Sequence, residues 1–241
     1  MTTLVGIVAC KGTPGVVLAS DIASTRTEWE ERGDVAYKRL TRTNAQKIHI
    51  SRSNEFAVCM AGIADSDYCQ FLYDLLEGKI PLKESLEKGH FEELFRLNYN
   101  RFGGKTWNSS AQNSLLIASR YEGKPKLYTC WPLGRIEERL GTSIGSGSEH
   151  ALRYFDEQKY LSFEQISLSD AASMADSALE RAATDIYTGG FDMVVVVPHD
   201  IKQYGQEIQS SLAQAKIKTM SRIRKEIEAI QVVTQPIDFS I

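Results

Sequence analysis

Thr2 is the residue of this chain whose position alone could support chemistry. Removal of Met1 before a small residue would leave Thr2 with a free α-amine and a β-hydroxyl, which is a nucleophile with its own general base attached. The apolar run that follows predicts a core strand, so the backbone at Thr2 should be held in one place. On this stretch alone, the simpler interpretation of Thr2 as an ordinary strand residue is favoured.

Lys47 is the second residue of interest, because it opens a short apolar stretch, residues 48–50, at a position where core is expected. Its pattern alone favours a simpler interpretation, a lysine at a strand end that extends to water.

Metal and cofactor sites have little support in the sequence. The cysteines lack the spacing of a metal site and are interpreted as buried, reduced thiols. They are Cys10, Cys59, Cys69 and Cys130. The pair Gly145 and Gly147 has the spacing of part of a nucleotide-binding motif, but its third glycine and the surrounding strand-to-helix unit are absent. We therefore expect no metal and no cofactor.

Composition excludes several classes of partner. The chain has 28 Lys and Arg against 31 Asp and Glu, a net charge of −3, so it lacks the basic footprint of a nucleic-acid-binding protein. No apolar run approaches the roughly 20 residues that cross a bilayer, and no leader precedes the first strand. We expect a cytoplasmic protein that binds neither nucleic acid nor membrane.

Hydrophobic periodicity predicts the elements that would position Thr2 and Lys47. Strands are predicted at 1–10, 16–21, 47–50, 56–62, 114–119, 126–131, 135–140 and 193–197. Helices are predicted at 65–78, 94–99, 149–156, 169–182 and 206–229, with Ser169 as the cap of the fourth. Helices grouped between blocks of hairpin strands indicate an α+β protein in which two antiparallel sheets stack face to face with helices outside.

The chain shows no linker or internal repeat, so residues 1–241 are predicted to form one domain. Residues 25–45 are rich in charge and predict an exposed excursion between core strands, with a short helix. Residues 204–241 predict a C-terminal helix and tail.

Six short motifs occur in an order and at a spacing that resemble the N-terminal-nucleophile hydrolases of the proteasome β-subunit type. They are Thr2-Thr3-Leu4-Val5-Gly6-Ile7, Gly15-Val16-Val17-Leu18-Ala19-Ser20-Asp21, Lys47-Ile48, Met60-Ala61-Gly62, Gly145-Ser146-Gly147-Ser148 and Asp185-Ile186-Tyr187-Thr188-Gly189-Gly190. The resemblance covers nearly the whole chain and implies a four-layer αββα sandwich. The stretch that begins at Asp185 also resembles the bacterial HslUV peptidase, and Ile22-Ala23 replaces the family's common arginine pair, so the subfamily stays open.

This resemblance also implies a role for individual residues. Thr2 would be the nucleophile, Asp21 and Lys47 the charged pair beside it, and the Gly62 N–H part of the oxyanion hole. Further residues would order the nucleophile and its amine, namely Ser146, Asp185 and Thr188. The resemblance also implies a pocket for the substrate side chain that precedes the cleaved bond. This pocket would be apolar and would be lined by Ser24, Met60 and Ala64.

By the same resemblance, the chain would be a threonine-type endopeptidase in a self-compartmentalised homo-oligomeric ring, with two rings stacked. It would cleave peptides or unfolded proteins, supplied by a partner such as an ATP-dependent unfoldase. Two alternatives stay open, because fold alone does not fix the substrate. One is an amidohydrolase or acyltransferase that acts on a non-protein amide, and the other is a catalytically silent subunit that builds the ring.

Overall fold

The computed structural model describes residues 2–32, 35–62, 66–87, 114–131, 135–158, 163–183 and 191–207, together with residues 225 and 227. Its strands are β1 (Thr3–Ala9), β2 (Gly15–Ser20), β3 (Ala23–Arg32), β4 (Val35–Asn44), β5 (Ile48–Ile50), β6 (Phe56–Ala61), β7 (Ser114–Ser119), β8 (Lys126–Cys130), β9 (Ile136–Glu138), β10 (Gly141–Gly145), β11 (Phe191–Val197) and β12 (Asp200–Glu207). Its α-helices are α1 (Ser66–Leu76), α2 (Leu82–Glu87), α3 (Ser148–Glu157) and α4 (Leu168–Ala182). Short 3₁₀ turns lie at Tyr121–Gly123 and Phe163–Gln165. The helix predicted at 94–99 lies outside the described residues.

Most of the strands form two five-stranded antiparallel sheets. The first sheet has the order β10-β1-β2-β11-β12, and the second has the order β5-β6-β7-β8-β9. The predicted hairpins lie at their centres, with Ile7 opposite Val17 in the first sheet and Ile117 opposite Tyr128 in the second. An apolar run on both faces of a strand is therefore explained by a sheet that is covered on both sides.

Three apolar clusters show how the sheets and helices stack. Val5 and Ile7 of β1 belong to the cluster beneath α4, whereas Leu4 belongs to the cluster between the two sheets. Val58 of β6 belongs to a third cluster, which includes Leu75 of α1. Burial of each such aliphatic side chain contributes about 1.5–3 kcal/mol to the free energy of unfolding. The order helix, sheet, sheet, helix confirms the αββα sandwich.

The helix that covers the first sheet is capped two residues earlier than predicted. The Ser167 side chain accepts a hydrogen bond from the Asp170 N–H at 3.2 Å, and Asp170 in turn accepts from the Ser167 N–H, which forms a capping box. Ser169 is not the cap, because Leu168 before it is already helical and fully buried in the core. The alanines of α4 let this helix approach β1 and β2 closely.

Residues 25–45 form paired strands, so the prediction of a short helix there is wrong. Strands β3 and β4 pair antiparallel from Ala23 opposite Asn44 to Arg32 opposite Val35. Threonine and aromatic residues at alternate positions favour strands, and the density of charges concealed that pattern. This two-stranded hairpin, which we call the ribbon, pairs with neither five-stranded sheet.

The C-terminal prediction is wrong at its start, because residues 200–207 form β12 rather than entering a helix. This strand pairs antiparallel with β11 and buries Ile201 and Tyr204. A register shift between Asp192 and Val194 marks a β-bulge, which disturbs simple alternation and hid the strand from pattern analysis. Residues 225 and 227 are helical, and the rest of 208–241 lies outside the described residues.

Candidate active site

The antiparallel strand order brings candidate residues to one end of the sandwich. Thr2 precedes β1, Asp21 follows β2 and Ser146 follows β10, so all three lie where strands of the first sheet begin or end, on the same side of the sandwich. Lys47 precedes β5 and Gly62 follows β6, which places both at the corresponding strand ends of the second sheet. We call this the site end.

Asp21 is the centre of the contacts at the site end. Its Oδ1 accepts a hydrogen bond from the Thr3 N–H at 2.5 Å, and its Oδ2 accepts from Lys47 Nζ at 2.8 Å. The Asp21 N–H donates to the Thr3 carbonyl oxygen at 3.1 Å, so Asp21 and Thr3 bond to each other in both directions. The carboxylate thereby ties the residue after Thr2 to the lysine of the other sheet.

The ion pair of Asp21 and Lys47 is buried. The Lys47 side chain is 9% exposed and that of Asp21 is 3% exposed, so the interpretation of Lys47 as a lysine that extends to water is wrong. Burial raises the pKa of the Asp21 carboxyl, and the Lys47 ammonium and the Thr3 N–H oppose that rise. The ionised carboxylate therefore depends on its two donors, and the pair places a positive charge inside the site end.

Ser146 contacts the backbone of Thr2. The Thr2 N–H donates to Ser146 Oγ at 3.2 Å, and the Ser146 hydroxyl lies 3.4 Å from the Thr2 carbonyl oxygen. This Thr2 nitrogen is an amide while Met1 precedes it. Cleavage of the Met1–Thr2 bond would convert it into an amine that the same hydroxyl could orient.

Gly145 is a residue of the site end whose role the sequence did not reveal. Its φ is +98°, and a Cβ added to it would overlap the carbonyl oxygen of Thr2. A Cβ on Gly147 would overlap Oγ1 of Thr3. Both glycines therefore allow the loop after β10 to lie directly against residues 2 and 3. Neither the weak nucleotide-binding spacing of the two glycines nor their place in a family motif revealed this requirement.

Comparison with known proteins identifies the family. The profile of the proteasome subunit family matches residues 2–197. The chain belongs to the proteasome subunit family. The family assignment agrees with the observed αββα sandwich and with the six sequence motifs that resemble the proteasome β-subunit type.

Relatives in this family include archaeal β subunits. The chain is 29% identical to proteasome subunit beta 2 of Pyrococcus furiosus over 216 residues, which cover 88% of this chain and 95% of that protein. It is 30% identical to proteasome subunit beta 2 of Aeropyrum pernix over 208 residues, or 84% of each chain. A proteasome subunit alpha of Methanobrevibacter smithii is 27% identical over 107 residues, 44% of this chain and 40% of its own. The broader match to β subunits supports a proteasome β-type N-terminal-nucleophile hydrolase.

The remaining residues that the proteasome resemblance singled out are described in part. Gly62 follows β6 at the site end with φ of +127°, a conformation that favours glycine. Met60 is half-buried and packs with the apolar cluster beneath α1, and Ser24 lies in β3 of the ribbon. Ala64, Asp185 and Thr188 lie outside the described residues.

The cysteines of this proteasome family member are all free thiols, but they are not all buried. Cys59 and Cys130 are buried as predicted, and burial raises the pKa of both thiols, that of Cys130 to about 12. Cys10 and Cys69 are exposed, so the prediction is wrong for these two. Across the described ranges, His, Cys, Asp and Glu form no group of three or more that could hold a metal ion. No helix in that part of the chain has the length and apolar character to cross a membrane.

Proposed function

We propose that this chain is a threonine-type endopeptidase whose nucleophile is Thr2, freed by cleavage of the Met1–Thr2 bond. The observation that carries the proposal is the buried ion pair of Asp21 and Lys47, which is bonded to the N–H of the adjacent Thr3. A buried ion pair is costly to form and is a weak source of stability. Its position next to the one residue with the chemistry of an N-terminal nucleophile supports a catalytic role.

The first step uses both groups of the freed Thr2. Its amine, with a reference pKa of about 7.7–8.0, accepts the hydroxyl proton directly or through water while Oγ1 attacks the carbonyl carbon of the substrate amide. The Lys47 ammonium would disfavour a second positive charge nearby, which keeps the amine unprotonated and basic. Asp21 would stabilise that ammonium.

The second step resolves the tetrahedral intermediate. Its oxyanion would accept a hydrogen bond from the Gly62 N–H, an interaction typically worth about 3 kcal/mol in other enzymes. Collapse breaks the C–N bond, and the proton held by the Thr2 amine passes to the leaving amine. Water then attacks the acyl ester with the same amine as general base, releases the carboxylic acid product and restores the Thr2 hydroxyl.

Three residues would keep the nucleophile in place for these steps. Ser146 contacts the Thr2 backbone nitrogen and carbonyl oxygen, which suits it to orient the amine. We assign the same ordering role to Asp185 and Thr188 from the family resemblance alone.

Ser24, Met60 and Ala64 would line the pocket for the substrate side chain before the cleaved bond. An apolar pocket favours Leu, Tyr or Phe there over charged side chains. Peptide reporters that differ only by Leu or Asp at this position test the assignment, and faster cleavage after Asp would contradict it.

In the cell, the chain would act in the cytoplasm within stacked homo-oligomeric rings that enclose the sites. A partner such as an ATP-dependent unfoldase would supply peptides or unfolded proteins. The family description and the match to proteasome β subunits support this assembly.

The decisive experiment measures the intact mass of the purified protein before and after incubation with a β-lactone or an epoxyketone. We expect loss of Met1 and one adduct on the wild type and on Thr2→Ser, which keeps a hydroxyl, and no adduct on Thr2→Ala. Retained Met1 without an adduct would contradict the proposal. Degradation of casein then separates an endopeptidase from an enzyme that acts only on small amides.

A further inference from the structure

Asp192 is a second buried carboxyl beside the site end. It lies in β11 directly opposite Ser20 of β2, the residue that precedes Asp21. Asp192 has no exposed surface, although a buried aspartate is rare in proteins unless it is paired. The chain therefore buries two carboxyls at the same end of the sandwich, and the candidate active site uses one of them.

The side chain of Asp192 faces the second sheet. Alternate residues of a strand share a face, and Val194 of β11 belongs to the apolar cluster between the sheets. Ser20 shares that face, since Leu18 of β2 belongs to the same cluster. From the second sheet, Cys59 faces this position: burial raises the pKa of its thiol, and the Asp192 charge adds to the rise. Asp192 therefore lies in the interior between the two sheets.

The contacts of Asp192 are with neutral groups. Both of its oxygens accept hydrogen bonds from Gln203 Nε2 of β12, at 3.2 Å and 3.1 Å, and the Met193 N–H provides a backbone contact. Among the described residues no cation contacts Asp192, whereas Asp21 has Lys47 Nζ at 2.8 Å. Burial raises the pKa of the Asp192 carboxyl, and its two neutral donors oppose that rise without reversing it.

Ser20 supplies what a neutral acid at this position would need. Its Oγ is buried and has no hydrogen-bond partner in the described part of the chain. Side chains directly opposite each other on antiparallel strands are close enough to interact. A protonated Asp192 could donate its O–H to Ser20 Oγ while its other oxygen accepts from Gln203. That arrangement would pair both groups and leave no charge in the interior.

The strands around Asp192 present few groups that could balance a charge there. The Cys59 thiol of β6 stays neutral, because burial raises its pKa. Both neighbours of His49 in β5 pack in the cluster between the sheets, so His49 faces away from Asp192. Lys47 before β5 is the cation of the ion pair with Asp21. An ionised Asp192 would therefore add a second negative charge beside a pair that has one positive charge.

We propose that Asp192 is a proton-binding residue of the folded chain and keeps its proton at pH values where an ordinary aspartate is ionised. Release of that proton with rising pH would leave a buried carboxylate without a cation where β2 and β11 meet. The junction next to Asp21 would then loosen. The proton site belongs to the folded chain itself and does not depend on the proposed peptidase function.

Infrared spectroscopy detects the proton directly. At about pH 5, where an aspartate of ordinary pKa is almost wholly ionised, the wild type should show the carbonyl band of a neutral carboxylic acid that Asp192→Asn lacks. Asparagine suits the comparison because it resembles the neutral acid in size and keeps a donor for Ser20. Identical carboxylic-acid bands in the two proteins would overturn the proposal.

Removal of the Ser20 hydroxyl tests the acceptor. Ser20→Ala leaves the neutral acid without its partner, and loss of a hydrogen bond to the neutral form makes the proton easier to lose. The infrared band of Asp192 should therefore disappear at a lower pH than in the wild type. Disappearance at the same or a higher pH would overturn the assignment of Ser20 as the acceptor.

The pH dependence of stability gives the sign of the effect. A pKa that is higher in the folded than in the unfolded chain means that the free energy of unfolding falls as pH rises between the two values. Asparagine cannot ionise, so the urea midpoint of Asp192→Asn minus that of the wild type should increase from about pH 4 to about pH 8. A level or decreasing difference would overturn the proposal. A difference that changes between sodium, potassium and tetramethylammonium chloride would indicate a bound cation and would overturn it as well.

Asp74 of α1 provides a matched control of opposite sign. Lys79 Nζ donates to its Oδ1 at 2.8 Å, and this hydrogen bond lowers the pKa of the Asp74 carboxyl. A lowered pKa contributes stability only above the unfolded value, so the urea midpoint of Asp74→Asn minus that of the wild type should decrease up to about pH 5 and then stay level. The same pH trend in both variants would show a response that is not specific to Asp192 and would overturn the proposal.

Hydrogen exchange locates the loosening. At about pH 8, peptides from β2 and β11 should exchange faster in the wild type than in Asp192→Asn, whereas at about pH 5 the two proteins should exchange equally. Because the two proteins are compared at the same pH, the intrinsic exchange rates cancel. Equal exchange at both pH values would overturn the loosening of this junction.

Discussion

The two ends of the sandwich are each joined by a cation that bridges the sheets, but they use it differently. At the site end, Lys47 before β5 contacts Asp21 after β2 through a buried ion pair. At the opposite end, Arg120 after β7 donates from Nε to the Asn54 carbonyl oxygen at 2.6 Å and from Nη1 to the Pro198 carbonyl oxygen at 3.1 Å. The first contact is between two charges, and the second is between a charge and neutral carbonyls.

This difference separates a candidate catalytic site from a purely structural contact. A half-buried guanidinium on backbone carbonyls contributes stability at little desolvation cost, and Arg120 thereby joins the β5–β6 and β11–β12 connections. A buried carboxylate and ammonium must first lose their hydration, so their net stabilisation is small while their field inside the protein is strong. The buried ion pair at the site end is therefore suited to shift the protonation of an amine beside it, such as a freed Thr2 amine. The Arg120 contacts at the opposite end are suited to hold the two sheets together.

Lys47→Met should produce the largest effect, because it leaves the Asp21 carboxylate buried without its cation. We expect a loss of about 3–5 kcal/mol in the free energy of unfolding. The rate of β-lactone adduct formation on Thr2 should fall by about 10²- to 10⁴-fold, the usual contribution of acid–base groups. Denaturant unfolding and time-resolved intact mass measure the two changes.

A double variant separates the two consequences of losing Lys47. Asp21→Asn with Lys47→Met removes both buried charges and keeps an oxygen acceptor for the Thr3 N–H, so most of the stability should return while the reaction stays slow. A single Lys47→Met variant that reacts at the wild-type rate would show that the ion pair is structural only.

Gly145→Ala should have the next largest effect, because the added methyl group would overlap the Thr2 carbonyl oxygen. A displacement of about 1 Å can cost roughly 10²-fold in rate, so adduct formation should slow by that amount. Gly12→Ala is the matched control, since Gly12 also has a positive φ but lies in the β1–β2 connection at the opposite end with no atom within 4 Å of an added Cβ. It should cost about 1–2 kcal/mol and leave the rate unchanged. Equal rates for the two variants would contradict the close approach at Thr2.

The core strands were predictable because their signal is local. Apolar runs such as Val16-Val17-Leu18 require a sheet covered on both faces, whatever the rest of the chain does. The ribbon was not predictable in the same way, since its charges conceal a strand pattern that depends on pairing with a second strand. The cap of α4 was misplaced by two residues because Ser167 and Ser169 are equally good caps in isolation, and only the burial of Leu168 decides between them.

The contact between Asp21 and Lys47 in the candidate site was predictable from family resemblance rather than from pattern. Asp21 and Lys47 are 26 residues apart and belong to different sheets, and no local rule relates them. Periodicity alone favoured an exposed lysine. Gly145 was missed for a related reason, because the requirement for glycine arises from the backbone of Thr2, which approaches only after the first sheet has formed.

Arg120→Met should have the smallest effect and should be confined to stability. Arg120 is half-buried, so water can replace part of its two charge-assisted hydrogen bonds. We therefore expect a decrease of about 1.5–3 kcal/mol in the free energy of unfolding, the magnitude of one such bond, with an unchanged rate of adduct formation on Thr2. Arg120→Lys should recover only part of this loss, because a single ammonium lacks the fork that reaches both carbonyl oxygens. Denaturant unfolding beside the adduct assay measures both quantities. A clear fall in the adduct rate for Arg120→Met would mean that the two ends are coupled through the sheets, and that the division between a candidate catalytic site and a purely structural contact does not hold.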